Sequence, residues 1–298
     1  MAFRTAQLIA VRFFHYGYLL DFLWKYVIIA KKRGGEAVKI HIMSLLLLAV
    51  LLAGCGADPV PIEQPYTLPP SLYAPEDFQM EGDYLTCTAG NAVMGIDVSS
   101  HQGSIDWQTV AESGVKFAFV RLGYRGYDSG ILQNDICVDL NLNGARQAGI
   151  AVGAYFFSQA VTVEEAEEEA QFALKILGDF SLDLPLVYDW EYVSDTARTA
   201  NVDKATLTAA TLAFCHAVEK AGHQPMVYFN SAQVKMLDME QMEAYPWWLA
   251  KYDMAQEFPC RADLWQYTNQ GEVPGINGKV DIDLMFTDYG LIKIKGIP

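Results

Sequence analysis

From residue 94 onward, short apolar runs rich in β-branched and aromatic residues alternate with helical patterns. About eight runs are typical of β-strands; they read MGIDVS, KFAFVRLG, IAVGAYFFS, LPLVYDWE, PMVYFN, WWLAKY, LWQYT and VDIDLMF. Helical patterns separate the first five runs, most clearly at 132–148, 163–180 and 204–222. Regular alternation of strand and helix predicts parallel strands in one sheet.

The connections shorten after the fifth run and lose convincing helices. The pattern therefore predicts an α/β fold, an irregular TIM-like (β/α) barrel with an incomplete set of helices in its last third. The acidic run within 163–180 is most simply a solvated helix face, because apolar residues form a stripe at helical spacing. These residues are Ala166, Ala170, Ala173 and Leu177.

The strand-like run LPLVYDWEYV, at 184–193, carries Asp189 and Glu191 separated only by Trp190. Side chains two residues apart on a strand share a face, which places these carboxyls roughly 6 to 7 Å apart. Like charges at that distance disfavour joint ionisation. Acids that served only solubility would be scattered over helices and loops, so we interpret the pair as functional.

Side chains at the C-terminal ends of barrel strands line the mouth, where active sites lie. Asp97 lies on the first predicted strand, and Asp281 and Asp283 lie two apart in the last. Aromatic residues near predicted strand ends are Tyr155, Tyr228, Trp248, Trp265 and Tyr267. Each aromatic taken alone is more often core. Acids among aromatic rings nevertheless suit a carbohydrate site, because sugar faces stack on rings and glycosidic cleavage uses paired carboxyls.

Charge is divided unevenly along the 298 residues. Residues 1–54 hold 7 of the 21 Lys and Arg but only 2 of the 36 Asp and Glu, which leaves a net charge of −20 downstream. Such an acidic chain is not expected to bind nucleic acid. The usual motifs for nucleotides and structural zinc are also missing from the sequence, so we predict no metal and no cofactor.

The stretch MSLLLLAVLLAGCGADP begins at Met43 and carries an apolar run of about a dozen residues, too short to span a bilayer. It follows a KKR cluster at 31–33, as in a secretory signal. LAGC resembles a bacterial lipobox, which implies cleavage before Cys55 and its lipidation. An uncleaved hydrophobic N-terminus is the alternative. The apolar stretch within residues 1–37 is not needed for export, so we predict that translation begins later, near residues 38–43.

Six prolines between residues 59 and 75 favour an extended stalk. About 30 residues at ~3 Å each would reach roughly 90 Å from a membrane, although a tail without purpose is the alternative. We predict three segments: an N-terminal extension and signal at 1–54, a lipidated, Pro-rich linker at 55–90 and a barrel at 91–298. Three full disulfide pairings are open to Cys87, Cys137, Cys215 and Cys260.

Several motifs occur in order: GIDVSSHQGSIDW at 95–107, GAYFFS at 153–158, YDWE at 188–191, WWLAKY, and WQYT followed by GKVDID. Together they resemble glycoside hydrolase family 25, the lysozyme-like muramidases, over roughly residues 94–290. The resemblance implies cleavage of the β-1,4 bond between N-acetylmuramic acid and N-acetylglucosamine in peptidoglycan. It makes Glu191 the proton donor, with Asp189, Asp97 and Asp281 as supporting acids.

A carboxyl with negative neighbours stays protonated at higher pH, which fits Glu191 as the general acid. Asp189 would then hold the substrate acetamido group for substrate-assisted attack. We expect the glycan to contact Tyr155, Tyr228, Trp248, Gln266 and Tyr267. We further expect a monomer that is anchored by lipid to the outer face of a bacterial membrane, with peptidoglycan glycan strands as its partner.

Two other functions remain open. A chitinase-like glycosidase would use the same acid pair, but its longer D-x-x-D-x-D-x-E pattern fails at Leu184 and Val187. A lipid-anchored wall-binding module could keep the groove and lose catalysis, although retention of all the motif acids argues against that.

Overall fold

The computed structural model describes residues 66–252, 260–287 and 289. Its strands in chain order are β1 (Phe78–Glu81), β2 (Tyr84–Cys87), β3 (Val93–Val98), β4 (Phe117–Arg125), β5 (Leu132–Asn134), β6 (Ala151–Ser158), β7 (Leu186–Trp190), β8 (Pro225–Asn230), β9 (Trp247–Ala250), β10 (Leu264–Gly271) and β11 (Val280–Met285). Its α-helices are α1 (Trp107–Glu112), α2 (Val138–Gln147), α3 (Val163–Leu177) and α4 (Lys204–Lys220).

Eight of the strands close into a barrel in the order β3, β11, β10, β9, β8, β7, β6 and β4, and β4 returns to β3. Neighbours from β3 through β4, β6, β7, β8 and β9 to β10 run parallel. β11 runs antiparallel to both β10 and β3. The predicted irregular barrel is confirmed, and the reversal of its last strand is a feature that the strand pattern alone did not reveal.

The helices follow the early strands, as the alternation predicted. Thr162 and Asp203 cap α3 and α4 by accepting hydrogen bonds from the amides of Glu165 and Thr206. In the described residues after β8, only short 3₁₀ turns occur, at Gln233–Lys235 and Gln241–Ala244. The shortage of helices in the last third is therefore as predicted.

The helix predicted over 132–148 begins later than expected. β5 occupies its first residues and pairs antiparallel with the end of β4. Asp135 then accepts a hydrogen bond from the amide of Cys137 at 2.9 Å, just before α2 starts. The local turn that Asp135 makes therefore delays the helix.

One end of the barrel interior is filled by apolar side chains, which are Phe117, Phe119, Met226, Leu264 and Met285. Glycines make room for the rings. A Cβ atom at Gly95 would lie 2.2 Å from the ring of Phe117, and one at Gly153 would lie 2.4 Å from the ring of Phe119. This end, which we call the floor, is closely packed, and the opposite end, the mouth, is polar.

β1 and β2 form a hairpin on the outside of β10. Gly82 lies in its turn with φ of 65°, a conformation that favours glycine. The ring of Phe78 packs against Trp265 with centroids 5.1 Å apart, and Leu85 is fully buried. The predicted linker, 55–90, is therefore folded in its second half, and the compact unit begins at Tyr66. The physical reason is that the hairpin covers apolar residues of β10.

The signal, the lipidation site at Cys55 and the start site all fall outside the described residues. Within 66–252, 260–287 and 289, no helix is both long and apolar enough to cross a membrane. All four cysteines in the described part of the chain are free thiols, and three of them are buried.

Candidate active site

Four acids predicted from the sequence meet at the mouth of the barrel. Asp97 lies near the end of β3, and Asp189 and Glu191 lie at the end of β7. Asp281 lies at the start of β11 and pairs in register with Asp97. Because β11 runs antiparallel, its first residues lie at the same end as the last residues of β3. The carboxyls of Asp97 and Asp281 are hydrogen-bonded to each other.

Asp283 lies deeper than Asp281, in register with Gly95. Trp248 donates its indole Nε1–H to Oδ1 of Asp283 at 2.9 Å, and the acid is fully buried. Burial raises the pKa of Asp283 well above its usual value, and the charge of Asp281 adds to the rise. The two acids of β11 therefore have different surroundings, one at the mouth and one beneath it.

Burial is the first cause of the raised pKa at every acid of the mouth. It raises the pKa of Asp281 to about 6. At Asp97 burial is followed by the charge of Asp281. At Glu191 burial raises the pKa, a hydrogen bond with Tyr228 opposes the rise, and the charge of Asp281 adds to it. Desolvation therefore raises the pKa of these acids more than the neighbouring negative charges do, although the sequence indicated only the charges.

Arg121 provides a positive charge that sequence reasoning missed. Burial and then Glu191 raise the pKa of Asp189, and Arg121 lowers it. Arg121 is held by Asp135, which accepts from its Nε at 2.9 Å. The available signal was spacing, because Arg121 follows the inward-facing Phe119 by two residues and a strand repeats every two residues.

An aromatic wall borders the acids. Trp248 lies edge-on to Tyr228 and Tyr155, with centroid distances of 5.3 and 6.1 Å. Both tyrosines and the tryptophan are buried inside the barrel. The structure therefore brings these three predicted residues to one wall beside Glu191, whose carboxyl is hydrogen-bonded to Tyr228.

Gln266, which was predicted to contact the glycan, also reaches the acids. Its Nε2 donates to Oδ2 of Asp97 at 2.7 Å, and its Oε1 accepts from the hydroxyl of Tyr252 at 2.7 Å. Tyr252 was not predicted, although it follows Trp248 and Ala250 at the two-residue spacing of an inward face. The pair Gln266 and Tyr252 extends the site toward the β10 side of the mouth.

Tyr267 was predicted to contact the glycan beside Gln266, and the structure does not bring it to the acids. Its ring packs on Trp265 outside the barrel, and its hydroxyl accepts from the amide of Leu85 at 3.3 Å. The physical reason is the strand period of two: Gln266 faces inward, so its neighbour faces outward. Trp265 lies on the same outer face.

Two buried glutamines hold the backbone that carries Glu191. Gln159 donates from Nε2 to the carbonyl oxygen of Glu191 at 2.6 Å, and Gln233 donates to the carbonyl oxygen of Trp190. The ladder between β7 and β8 ends at Tyr188. The glutamine amides therefore take the place of a neighbouring strand where β7 ends. Sequence reasoning missed both glutamines, although Gln159 comes directly after the GAYFFS motif at 153–158.

Arg198 supports Gln159 from behind. Its Nη1 donates to the carbonyl oxygen of Gln159 at 2.6 Å, and its Nη2 lies 2.6 Å from Oε1 of Glu165. In the described part of the chain, no group of three or more His, Cys, Asp or Glu could hold a metal ion.

The acids, Arg121 and the aromatic residues at the mouth can together donate a proton, orient a polar substrate group and stabilise positive charge.

A family model described as "Glycosyl hydrolases family 25" matches residues 96–276. The match includes Asp97, Asp189 and Glu191 and ends before Asp281. The uncharacterized protein YegX of Escherichia coli (strain K12) is 31% identical over 208 residues, which cover 66% of this chain and 70% of YegX.

Solved structures are also similar to this chain. The bacterial lysozyme from Streptomyces coelicolor is 25% identical with a TM-score of 0.59, and the match covers 68% of this chain and 97% of that one. The modular autolysin LytC from Streptococcus pneumoniae, solved in complex with a synthetic peptidoglycan ligand, is 28% identical with a TM-score of 0.57. That match covers 65% of this chain and 46% of LytC, so the chain spans less than half of the autolysin.

Proposed function

The chain belongs to glycosyl hydrolases family 25, and from that premise we propose how it works as a peptidoglycan hydrolase with N-acetylmuramidase activity. The bond cleaved is the β-1,4 link between N-acetylmuramic acid and N-acetylglucosamine. The observation that carries the proposal is the pair at the barrel mouth, buried Asp189 and partly buried Glu191, bordered by aromatic rings. The peptidoglycan ligand bound to LytC supports the choice of substrate.

Glu191 is the general acid. Cleavage needs a proton on the leaving sugar oxygen, and burial raises the pKa of Glu191 so that it carries one at higher pH than an exposed glutamate. The hydroxyl of Tyr228 holds the side chain of Glu191, and the hydrogen bond from Gln159 holds its backbone carbonyl. Glu191 thus donates from a defined position, and as a carboxylate it can then take a proton from water.

Asp189 orients the acetamido group of the substrate. Its Oδ1 is buried and has no hydrogen-bond partner among the described residues, and buried polar atoms are rarely left so. The acetamido N–H of the sugar would donate to this oxygen. The acetamido carbonyl then attacks the anomeric carbon as the glycosidic bond breaks, and water later opens the cyclic intermediate. Arg121 lowers the pKa of Asp189 and so offsets part of the rise that burial and Glu191 cause.

Asp97 and Asp281 support the charge that develops on the sugar. Their carboxyls share a hydrogen bond, and Gln266 donates to Asp97. The transition state of glycoside hydrolysis is oxocarbenium-like and therefore positive. An acidic pair beside it lowers the energy of that charge, while Gln266 fixes the orientation of the pair.

The role of Asp189 is tested with two substrates. Initial rates are measured on N-acetylated peptidoglycan and on peptidoglycan whose 2-acetamido groups have been deacetylated to amines. We expect the deacetylated glycan to resist cleavage, and Asp189→Asn to lose activity on the acetylated form. Equal rates on both substrates, or a covalent sugar adduct on an aspartate seen by mass spectrometry, would rule out substrate assistance.

A zymogram on purified peptidoglycan separates hydrolysis from the other candidates. A wall-binding module without catalysis would bind the gel substrate and leave no cleared band. A chitinase-like enzyme would release products from N-acetylglucosamine polymers faster than from peptidoglycan. We expect a cleared band and no preference for chitin.

The proposal includes an anchor. LAGC supports lipidation of Cys55 after removal of residues 1–54, which would tether a monomer outside the cytoplasm on a short Pro-rich linker. Intact mass of membrane-extracted protein should show an acylated cysteine as the first residue. A soluble mature chain that begins elsewhere would exclude the anchor. Deletion of residues 1–37 should leave membrane localisation unchanged.

A further inference from the structure

Beside the mouth lies a second cleft of about 420 Å³, between the β1–β2 hairpin and the far part of the β10–β11 pair. Residues that line it include Met80, Asp83, Tyr252, Thr268, Gln270 and Lys279. None of the catalytic or supporting acids lines this cleft.

The hairpin wall of the cleft lies outside the residues that the family match covers, since β1 and β2 precede residue 96. It is nevertheless firmly attached. The hydroxyl of Tyr84 donates to the carbonyl oxygen of Glu272 at 3.2 Å, and the amide of Leu85 donates to Tyr267. Together with the packing of Phe78 on Trp265, these contacts give the cleft a fixed wall.

Tyr252 links the cleft to the active site. This residue lines the cleft, and its hydroxyl donates to Gln266, which in turn donates to Asp97. Thr268 and Gly271 lie two and five residues beyond Gln266 on β10. At about 3.3 Å per residue, they lie roughly 7 to 17 Å from Gln266 along the strand. A polymer held at the acids could therefore extend into the cleft.

The lining combines apolar surface with hydrogen-bonding groups. Met80 and Tyr252 are each 47% exposed and give the cleft its apolar surface. Thr268 and Gln270 add polar atoms. Lys279 is paired with Glu272 at 2.6 Å, so these two charges balance each other, and Asp83 adds one acid to the lining. Such a surface fits an uncharged ring with one apolar face and hydroxyl or amide groups around it.

We propose that this cleft is a distal subsite for an N-acetylated amino sugar of the same glycan strand that is cleaved at the mouth. The inference rests on the proposed function and adds to it that binding energy comes from sugars away from the scissile bond. Long strands would reach both sites, whereas short oligosaccharides would occupy only the mouth.

The test uses the full chain and peptide-free peptidoglycan glycan strands of two lengths, tetrasaccharides and strands of twenty or more sugars. KM is measured for wild type, Met80→Ala and Gln79→Ala. Gln79 is the matched control, since it is exposed on the opposite face of β1. In wild type the KM for short strands should exceed that for long strands. Met80→Ala should reduce that ratio about fivefold through the lost apolar contact, and Gln79→Ala should leave it as in wild type.

The outcomes separate this subsite from the function on which it rests. A wild-type enzyme that cleaves both lengths, with the same KM ratio in both variants, would overturn the subsite and leave the hydrolase intact. A wild-type enzyme that cleaves neither length would overturn both. A ratio reduced equally in Gln79→Ala and Met80→Ala would place the effect in the hairpin as a whole and overturn the assigned contact.

Discussion

The floor and the mouth of the barrel interior are built by the same strands but differ in chemistry. β4 places Phe117 at the floor and Arg121 toward the mouth, and β11 places Met285 at the floor and Asp281 at the mouth. The floor is packed with rings over glycines, whereas the mouth gathers like charges that burial keeps from ionising freely. The difference teaches that apolar packing at one end offsets the electrostatic cost of the chemistry at the other.

The largest effect should come from Glu191→Gln at the mouth. Gln keeps the size of the side chain but cannot donate the proton, so activity should fall about 10² to 10⁴-fold. Thermal stability should stay level or rise, because repulsion between Glu191 and its like-charged neighbours is removed. The assay is peptidoglycan hydrolysis alongside thermal unfolding, with the exposed Glu240→Gln as control. More than a tenth of wild-type activity in Glu191→Gln would mean that another residue is the acid.

Phe117→Ala at the floor should show the reverse pattern. Removal of a fully buried ring leaves a cavity and should lower the free energy of unfolding by about 3 to 5 kcal/mol. Activity per folded molecule should change far less. Urea unfolding measures the first quantity and active-site titration the second. Tyr127→Ala, which removes a half-exposed ring, is the control. A loss of activity as large as in Glu191→Gln would show that floor and mouth are not separable.

Gln159→Ala should weaken the mouth without removing an acid. The carbonyl of Glu191 would lose its donor, a buried hydrogen bond whose loss costs roughly 1 to 3 kcal/mol, and kcat should fall about tenfold. KM should change less than kcat. Because the side chain of Glu191 would change position, the acidic and basic limbs of the pH–rate profile should also move. The exposed Gln241→Ala is the control. Equal loss of stability and activity with an unchanged pH profile would reduce Gln159 to a purely structural residue.

The smallest effect concerns pH. Burial raises the folded-state pKa of Asp281 to about 6, above its value of about 3.9 in the unfolded chain. Its contribution to stability is therefore complete below pH ~4 and is lost as pH rises through about 6. Asp281→Asn cannot ionise, so it should gain about 2 kcal/mol over wild type between pH 4.5 and 7.5. Urea unfolding at both pH values measures this, with exposed Asp128→Asn as control. Parallel curves for wild type and Asp281→Asn would contradict it.

Much of the site could be predicted because strands and acids carry local signals. Asp189 and Glu191 share a face whatever the fold, since a strand repeats every two residues. The same rule shows that Gln266 and Tyr267 could not both face inward, but which of them does depends on where the barrel axis lies. Arg121 and Tyr252 obey the spacing of their strands and could have been found by extending it from Phe119 and Trp248.

The sequence by itself determined the alternation of strands and helices, the barrel that follows from it and the acids that end its strands. Only the tertiary structure decided that β11 runs backward, which brings Asp281 against Asp97. It also decided that the second half of the Pro-rich linker folds as a hairpin on β10 and that Gln159 and Gln233 replace a missing strand partner. The physical reason is that periodicity and propensity act over neighbouring residues, whereas strand direction and buried hydrogen bonds depend on partners distant in sequence.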